Sequence, residues 1–156
     1  MTASAQPIDL GILLGLAYQN FVRDLRGHLA EQGFDDLGRS DGFVFRALGG
    51  RPMSISELAA RLEVTKQGAA QIVDDMQRRG YVRRTPDPHD RRAHRLELTD
   101  RGAAALAAAH RFHQRYERRL AREHGAAAMG VLRDVLSAVA GGPPETLDPQ
   151  LRAMYL

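Results

Sequence analysis

Residues 54–102 read SISELAARLEVTKQGAAQIVDDMQRRGYVRRTPDPHDRRAHRLELTDRG. Ser54 and Glu57 stand in the S-x-x-E spacing that satisfies two orphan amides at a helix start. Ile55, Leu58, Ala59 and Leu62 then supply that helix's inward face. A second helix follows almost without a gap, capped by Thr65, with Ile72, Val73 and Met76 on its buried side and Gly80 at its end. Two helices joined so closely cross steeply, which is the helix-turn-helix pattern, and its second helix turns N-terminal polar side chains outward. Here these are Lys66, Gln67 and Gln71, with Gly68 between them. Glutamine bonds an adenine edge at two points, lysine reaches guanine acceptors or a phosphate, and a missing side chain lets backbone approach a groove. An ordinary solvated helix face fits the same four residues.

The segments YVRRT (81–85) and AHRLELT (93–99) alternate, with Leu96 and Leu98 inward and Arg95 and Glu97 outward. They read as a hairpin whose turn is PDPHDRR, 86–92. Five arginines, Arg83, Arg84, Arg91, Arg92 and Arg95, surround a turn with little apolar surface. A two-stranded ribbon directly after a recognition helix is a wing, and an arginine at its tip fits a narrow, electronegative minor groove. Asp90 is placed to pair with Arg92 and hold its guanidinium extended, although a plain surface ion pair carries little energy.

These residues resemble the winged helix-turn-helix of the multiple-antibiotic-resistance regulator (MarR) family. The most specific part is the D-x-R tip, Asp90 and Arg92, followed by LELTDRG, which is similar to that family's L-T-x-x-G entry into its next helix at Leu98, Thr99 and Gly102. The resemblance implies that Arg92 enters the minor groove, that Asp90 positions it, and that Thr65 to Gln71 begin the recognition helix. The DNA-contact set is therefore expected to be Thr65, Lys66, Gln67, Gly68, Gln71, Arg84, Asp90, Arg91 and Arg92. Gly68 and Gln71 replace the threonine and arginine that many members carry, so base preferences do not transfer from a relative.

Outward from this core, residues 8–30 read as a helix with Leu10, Leu14, Ala17, Phe21 and Leu25 on one face, yet Ile12 and Leu16 lie opposite. Apolar almost all round in its first half, this helix is expected to pair with a second copy; a central core helix of a monomer is the alternative. SDGFVFRALGG (40–50) reads as a short helix capped by Ser40 and stopped by Gly49 and Gly50. From Thr99 a long helix runs to His124, with Leu106, Ala109, Phe112, His113, Tyr116 and Leu120 on one side and a solvated stripe of Arg111, Arg115, Arg118 and Arg122 on the other. Residues 126–140 form a last helix, broken by GGPPETLDP and followed by the apolar tail LRAMYL, 151–156. The expected fold is thus mainly α with a small β-hairpin wing, a winged helix-turn-helix dimerised through its N- and C-terminal helices. One domain spans 1–156, with a DNA-binding lobe at 37–98 and dimerisation helices at 8–30 and 99–156. The family's first and last helices entwine two subunits, which would set two recognition helices roughly 34 Å apart on a pseudo-palindromic double-stranded DNA site.

Composition narrows the chemistry. Lysine and arginine number 22 against 19 acids, a net charge of +3, and all but Lys66 are arginine, which suits phosphate or carboxylate partners. The absence of cysteine excludes disulfides, thiolate metal sites and cysteine nucleophiles. No run approaches a membrane span and the start MTASAQPIDL lacks a secretory signal, so a cytoplasmic location is expected. No G-x-S-x-G, phosphate-cradling glycine loop or H-E-x-x-H occurs, so neither an enzyme nor a cofactor is expected. A helical module whose arginines bind acidic proteins is the rival reading. His113, among Phe112 and Tyr116 with His110 one turn away, and Asp24 and His28 on the first helix, invites a zinc, pH-switch or pocket reading. A satisfied core histidine is commoner, and no metal is expected; a metal-responsive regulator using His110 and His113 is the alternative. The family resemblance implies a small aromatic or phenolic effector, for which Phe21, Asp24, Phe43, Phe112, His113 and Tyr116 are the candidates.

Overall fold

Six helices and one hairpin form among the described residues, 7–90 and 92–142 of a computed structural model. Arg91 and the tail at 151–156 lie outside the described residues. In chain order the elements are α1 (Leu10–Glu31), α2 (Asp41–Gly50), α3 (Ile55–Leu62), α4 (Lys66–Arg78), β1 (Val82–Pro86), β2 (His94–Leu98), α5 (Asp100–His124) and α6 (Ala126–Val139). This is the expected helical fold with a two-stranded wing.

The chain divides into two compact units, the first ending at Asp35 and the second beginning at Asp36. In the first unit, α1 ends where Phe34 N–H reaches back to the Leu29 carbonyl at 2.9 Å, across Gly33 at φ +86°. That left-handed residue costs glycine nothing and satisfies carbonyls the helix leaves open. The apolar character of α1 lies largely in solvent: Leu10, Ile12, Leu13 and Leu16 are all exposed, Leu10 by 67%.

In the second unit, the hairpin pairs antiparallel with Val82 opposite Leu98 and Pro86 opposite His94. Leu96 is also bridged by Met53, whose N–H and carbonyl exchange bonds with it at 3.2 and 2.8 Å. This third edge, which the sequence pattern did not reveal, anchors β2 to the segment entering α3. Val44, Phe45, Leu58, Leu62, Val73, Met76 and Tyr81 fill the core between α2, α3, α4 and the hairpin. On α4 the inward side includes Ala69, fully buried, whereas Ile72 is only half-buried.

Two expected boundaries differ. Ser40 precedes α2 but its side chain caps nothing; the Asp41 carboxylate instead reaches back out of the helix to accept from Gly38 N–H at 2.8 Å. Gly49 and Gly50 lie inside α2, which ends only when Arg51 turns extended at φ −169°. Along α5, Phe112 is buried, His113 and Tyr116 are half-buried, and Arg111, Arg115, Arg118 and Arg122 are exposed, as the spacing required. On α6, Val131, Leu132, Val135, Leu136 and Val139 are all exposed. No helix among the described residues is long and apolar enough to cross a membrane.

Candidate nucleic-acid interface

The interface is built from the α3–α4 turn upward. The Ser54 hydroxyl accepts from Glu57 N–H at 3.2 Å while the Glu57 carboxylate accepts from Ser54 N–H at 2.7 Å, so the reciprocal cap at the start of α3 is complete. That amide, with Arg51 behind it, holds the Glu57 carboxyl down at about 2. At the other end Glu63 adopts φ +51°, ψ +38°, and Glu63 N–H and Val64 N–H bond back to Ala60 and Ala59. A left-handed glutamate is uncommon, and it lets the chain reverse within three residues into α4.

Thr65 starts α4 by accepting from Gly68 N–H at 3.0 Å. The small residue at 68 also serves this cap: a Cβ there would lie 3.2 Å from the threonine oxygen. Ala69, Val73 and Met76 pin one side of α4 into the core. Lys66, Gln67 and Gln71 are left exposed on the other.

Most of the wing's arginines are already engaged. Arg83 donates to Glu97 at 2.7 Å across the strands, and Arg95 donates to Asp87 at 2.8 Å. Arg84 reaches from β1 to α4, donating to Gln77 at 2.7 Å and Asp74 at 2.6 Å. Arg84, expected among the DNA contacts, thus braces the wing against α4. At the tip, Asp87 accepts from His89 N–H at 2.8 Å and Asp90 accepts from Arg92 N–H at 2.9 Å. Asp90 thus meets the backbone of Arg92 where a guanidinium pair was expected. Two aspartates folding the chain onto itself explain why so polar a tip holds its shape. Among the described residues no ion pair engages the Arg92 guanidinium, which stands exposed at the tip.

Sequence reading missed a charged cluster behind α4. Arg79 donates to Asp41 at 2.5 and 3.2 Å, to Asp75 at 2.5 Å and to the Asp36 carbonyl at 2.7 Å. Asp41 is only 3% exposed. Tyr81, fully buried, donates to Asp36 and lies 4.7 Å beneath the Arg101 guanidinium. Burial, reinforced by Asp36, pushes the Tyr81 hydroxyl up to about 12. An acid at the start of α2 and a paired arginine near the end of α4 were each visible in sequence; their meeting was not.

Of the effector candidates, Phe112 packs against His113 and Tyr116 with ring centres 6.2 and 5.8 Å apart on α5. Phe43 lies half-buried on α2 of the same unit, whereas Phe21 and Asp24 belong to α1 of the first. Burial, then the neighbouring Arg46 and His110, lowers the proton affinity of His113. Among the described residues no group of three or more histidines and acids could hold a metal ion.

Comparison with known proteins agrees with this geometry. The MarR family model matches residues 35–93. The transcriptional activator of exopolysaccharide II synthesis, ExpG, from Rhizobium meliloti is 26% identical over 117 residues, covering 75% of this chain but 59% of ExpG. The chain thus spans less than two thirds of that relative. Among solved structures, a MarR mutant from Escherichia coli complexed with operator DNA superposes with a TM-score of 0.63 at 25% identity, over 85% of this chain and 94% of that one. The transcriptional repressor CouR bound to a 23-mer DNA duplex gives 0.62 at 29%, over 85% and 92%. The family model lies across the helix-turn-helix and wing, and over most of its length the chain is similar to MarR from Escherichia coli and to CouR.

Proposed function

We propose that this protein is a homodimeric regulator of transcription that binds a pseudo-palindromic site on double-stranded DNA. The observation that carries the reading is the pairing of α4's exposed Lys66, Gln67 and Gln71 with a wing whose tip is preformed around an exposed Arg92. α4 supplies bidentate amides and one ammonium to base edges in the major groove. Arg92, with Arg91 beside it in sequence, supplies guanidinium to the minor groove, and Asp90 aims it through the backbone. Thr65 and Gly68 set the helix start, and Arg84 acts by fixing β1 to α4. The MarR and CouR structures were both obtained with DNA, which supports this placement.

The exposed leucines and isoleucines of α1 and the exposed valines and leucines of α6 support burial against a second copy. Repression is the favoured sign, as in CouR, although ExpG is an activator; a bound protein does either according to where its site lies relative to the promoter. Release by a small aromatic acid completes the reading. Phe112 and Tyr116 offer ring faces, His113 an imidazole whose charged form burial disfavours, and Arg46 a cation; Phe43 extends this candidate set.

Selection of bound fragments from random duplexes, followed by a salt titration, tests the core of it. A defined half-site repeated with two-fold symmetry is expected, and log affinity should fall by about 0.9 per log unit of salt for each phosphate neutralised. No enrichment at low salt, or a strictly monomeric protein, would remove the proposal. Gln71→Ala should relax the selected sequence more than it lowers non-specific affinity.

A further inference from the structure

We infer that Arg79 is a positioning residue for sequence reading: anchored to Asp41, Asp75 and the Asp36 carbonyl, it fixes the orientation of α4 on α2 and so aims Gln67 and Gln71. The inference rests on the DNA-binding reading above and names how specificity, rather than affinity, is set.

The geometry carries it. Arg79 is the residue that closes α4, with its own N–H bonded to the Asp75 carbonyl at 3.1 Å. Its guanidinium leaves the helix to meet a carboxylate 38 residues earlier at the start of α2, and its Nη1 also meets the backbone at Asp36. Asp41 has 3% of its side chain exposed, and Gly38 N–H takes its other contact at 2.8 Å. Both carboxylate oxygens are thereby occupied, and Arg79 itself is 17% exposed. A planar fork held at this many points by fixed acceptors permits one orientation, whereas the apolar contacts of Val73 and Met76 with the core tolerate small rotations of the helix. Buried ion pairs are poor sources of net stability, because desolvation offsets their attraction; in some proteins what they contribute instead is selection of a single arrangement. Gln67 and Gln71 lie three and two turns before Arg79 on the same helix, so a rotation at its end displaces both amides from base edges that require good hydrogen-bond geometry.

The test uses the full chain, the tightest duplex recovered by wild-type selection, and a scrambled duplex of the same length and composition. Replacing the pair together, Asp41→Leu with Arg79→Met, removes the fork without leaving a lone buried charge. It should leave the protein cooperatively folded, with a melting temperature lowered only by the loss of the Gly38 N–H bond to Asp41, and the affinity for the scrambled duplex unchanged. The ratio of selected to scrambled affinity should fall at least about tenfold, the scale of one lost base contact. Arg79→Lys, which reaches one carboxylate but not the whole set, should give an intermediate ratio. An undiminished ratio in both proteins overturns the inference and leaves DNA binding intact. Should the double variant fail to fold, the Arg79→Lys ratio decides alone, and its equality with wild type is equally fatal. A wild-type protein that selects no duplex removes the DNA-binding reading and this inference with it.

Discussion

The carbonyl oxygen of Tyr81 lies 2.1 Å from the point that a Cβ on Gly102 would occupy. Thr99, three residues earlier, donates its hydroxyl to Gly80 at 2.5 Å, accepts from Gly102 N–H at 3.1 Å, and sends its own N–H to Tyr81 at 3.0 Å. The threonine and glycine of the L-T-x-x-G stretch are thus two halves of one contact, in which the first turn of α5 is pressed against the backbone entering β1. Gly102→Ala sets a methyl against an immovable carbonyl, so the helix start must shift. A loss of about 1–3 kcal/mol is expected, read as a lower midpoint in denaturant unfolding. An unchanged midpoint would mean the helix start is looser than this spacing implies.

Arg92 and Arg84 should separate by salt dependence. Arg92→Ala is expected to weaken binding to the selected duplex by about 1–3 kcal/mol without changing the melting temperature, since its side chain supports nothing in the fold. Arg84→Ala removes the bond to Asp74, an exposed pair whose stabilising effect is at most about 1 kcal/mol, and loosens the wing on α4. As a brace it should leave the slope of log affinity against log salt as it was. A slope reduced by about 0.9 would make Arg84 a direct phosphate contact.

Glu63 stands at φ +51°, where a Cβ is penalised by roughly 1–2 kcal/mol and glycine is not. Glu63→Gly is therefore expected to gain up to about 1 kcal/mol after the greater freedom of the unfolded chain is counted, and Glu63→Val to lose more than that. Thermal unfolding of the two variants in parallel checks the order; a glycine variant less stable than the valine one contradicts it.

The Glu57 carboxyl lies at about 2 in the folded chain against 4.5 ordinarily. Its folded value is depressed, so its contribution is present above about 4.5 and is lost as pH falls through this window toward 2. Glu57→Gln should flatten the acid limb of the stability profile there while changing the neutral region little. Urea titrations from pH 2 to 7 on both proteins make the comparison, and identical limbs would remove Glu57 from the acid response.

The elements that were legible in sequence are those in which neighbours along the chain decide the outcome. Ser54 with Glu57, Thr65 with Gly68, and Thr99 with Gly102 each form a cap across three residues, and each is made as the spacing required. The hairpin was equally readable from the alternation around Leu96. Ser40 failed because its backbone is already helical, φ −87° and ψ −14°, where a capping residue is extended, while Asp41 beside it is drawn inward by Arg79. Nothing local in SDGF signals a guanidinium from a helix 38 residues away. Arg84 likewise looked available for DNA because Asp74 and Gln77 face it only after β1 turns back along α4. Charge on a hairpin can be counted from sequence, but which charges are spent inside the molecule depends on tertiary approach.

β2 ends at Leu98 and α5 begins at Asp100, with only Thr99 between them. α5, joined to the wing by that single residue, is a rod of 25 helical residues, roughly 37 Å long. A pivot of about 5° at its far end swings the hairpin by roughly 3 Å, more than a hydrogen bond tolerates. A tilt of that rod about its distal end is therefore opposed by the Met53–Leu96 bridge that ties β2 to the chain entering α3.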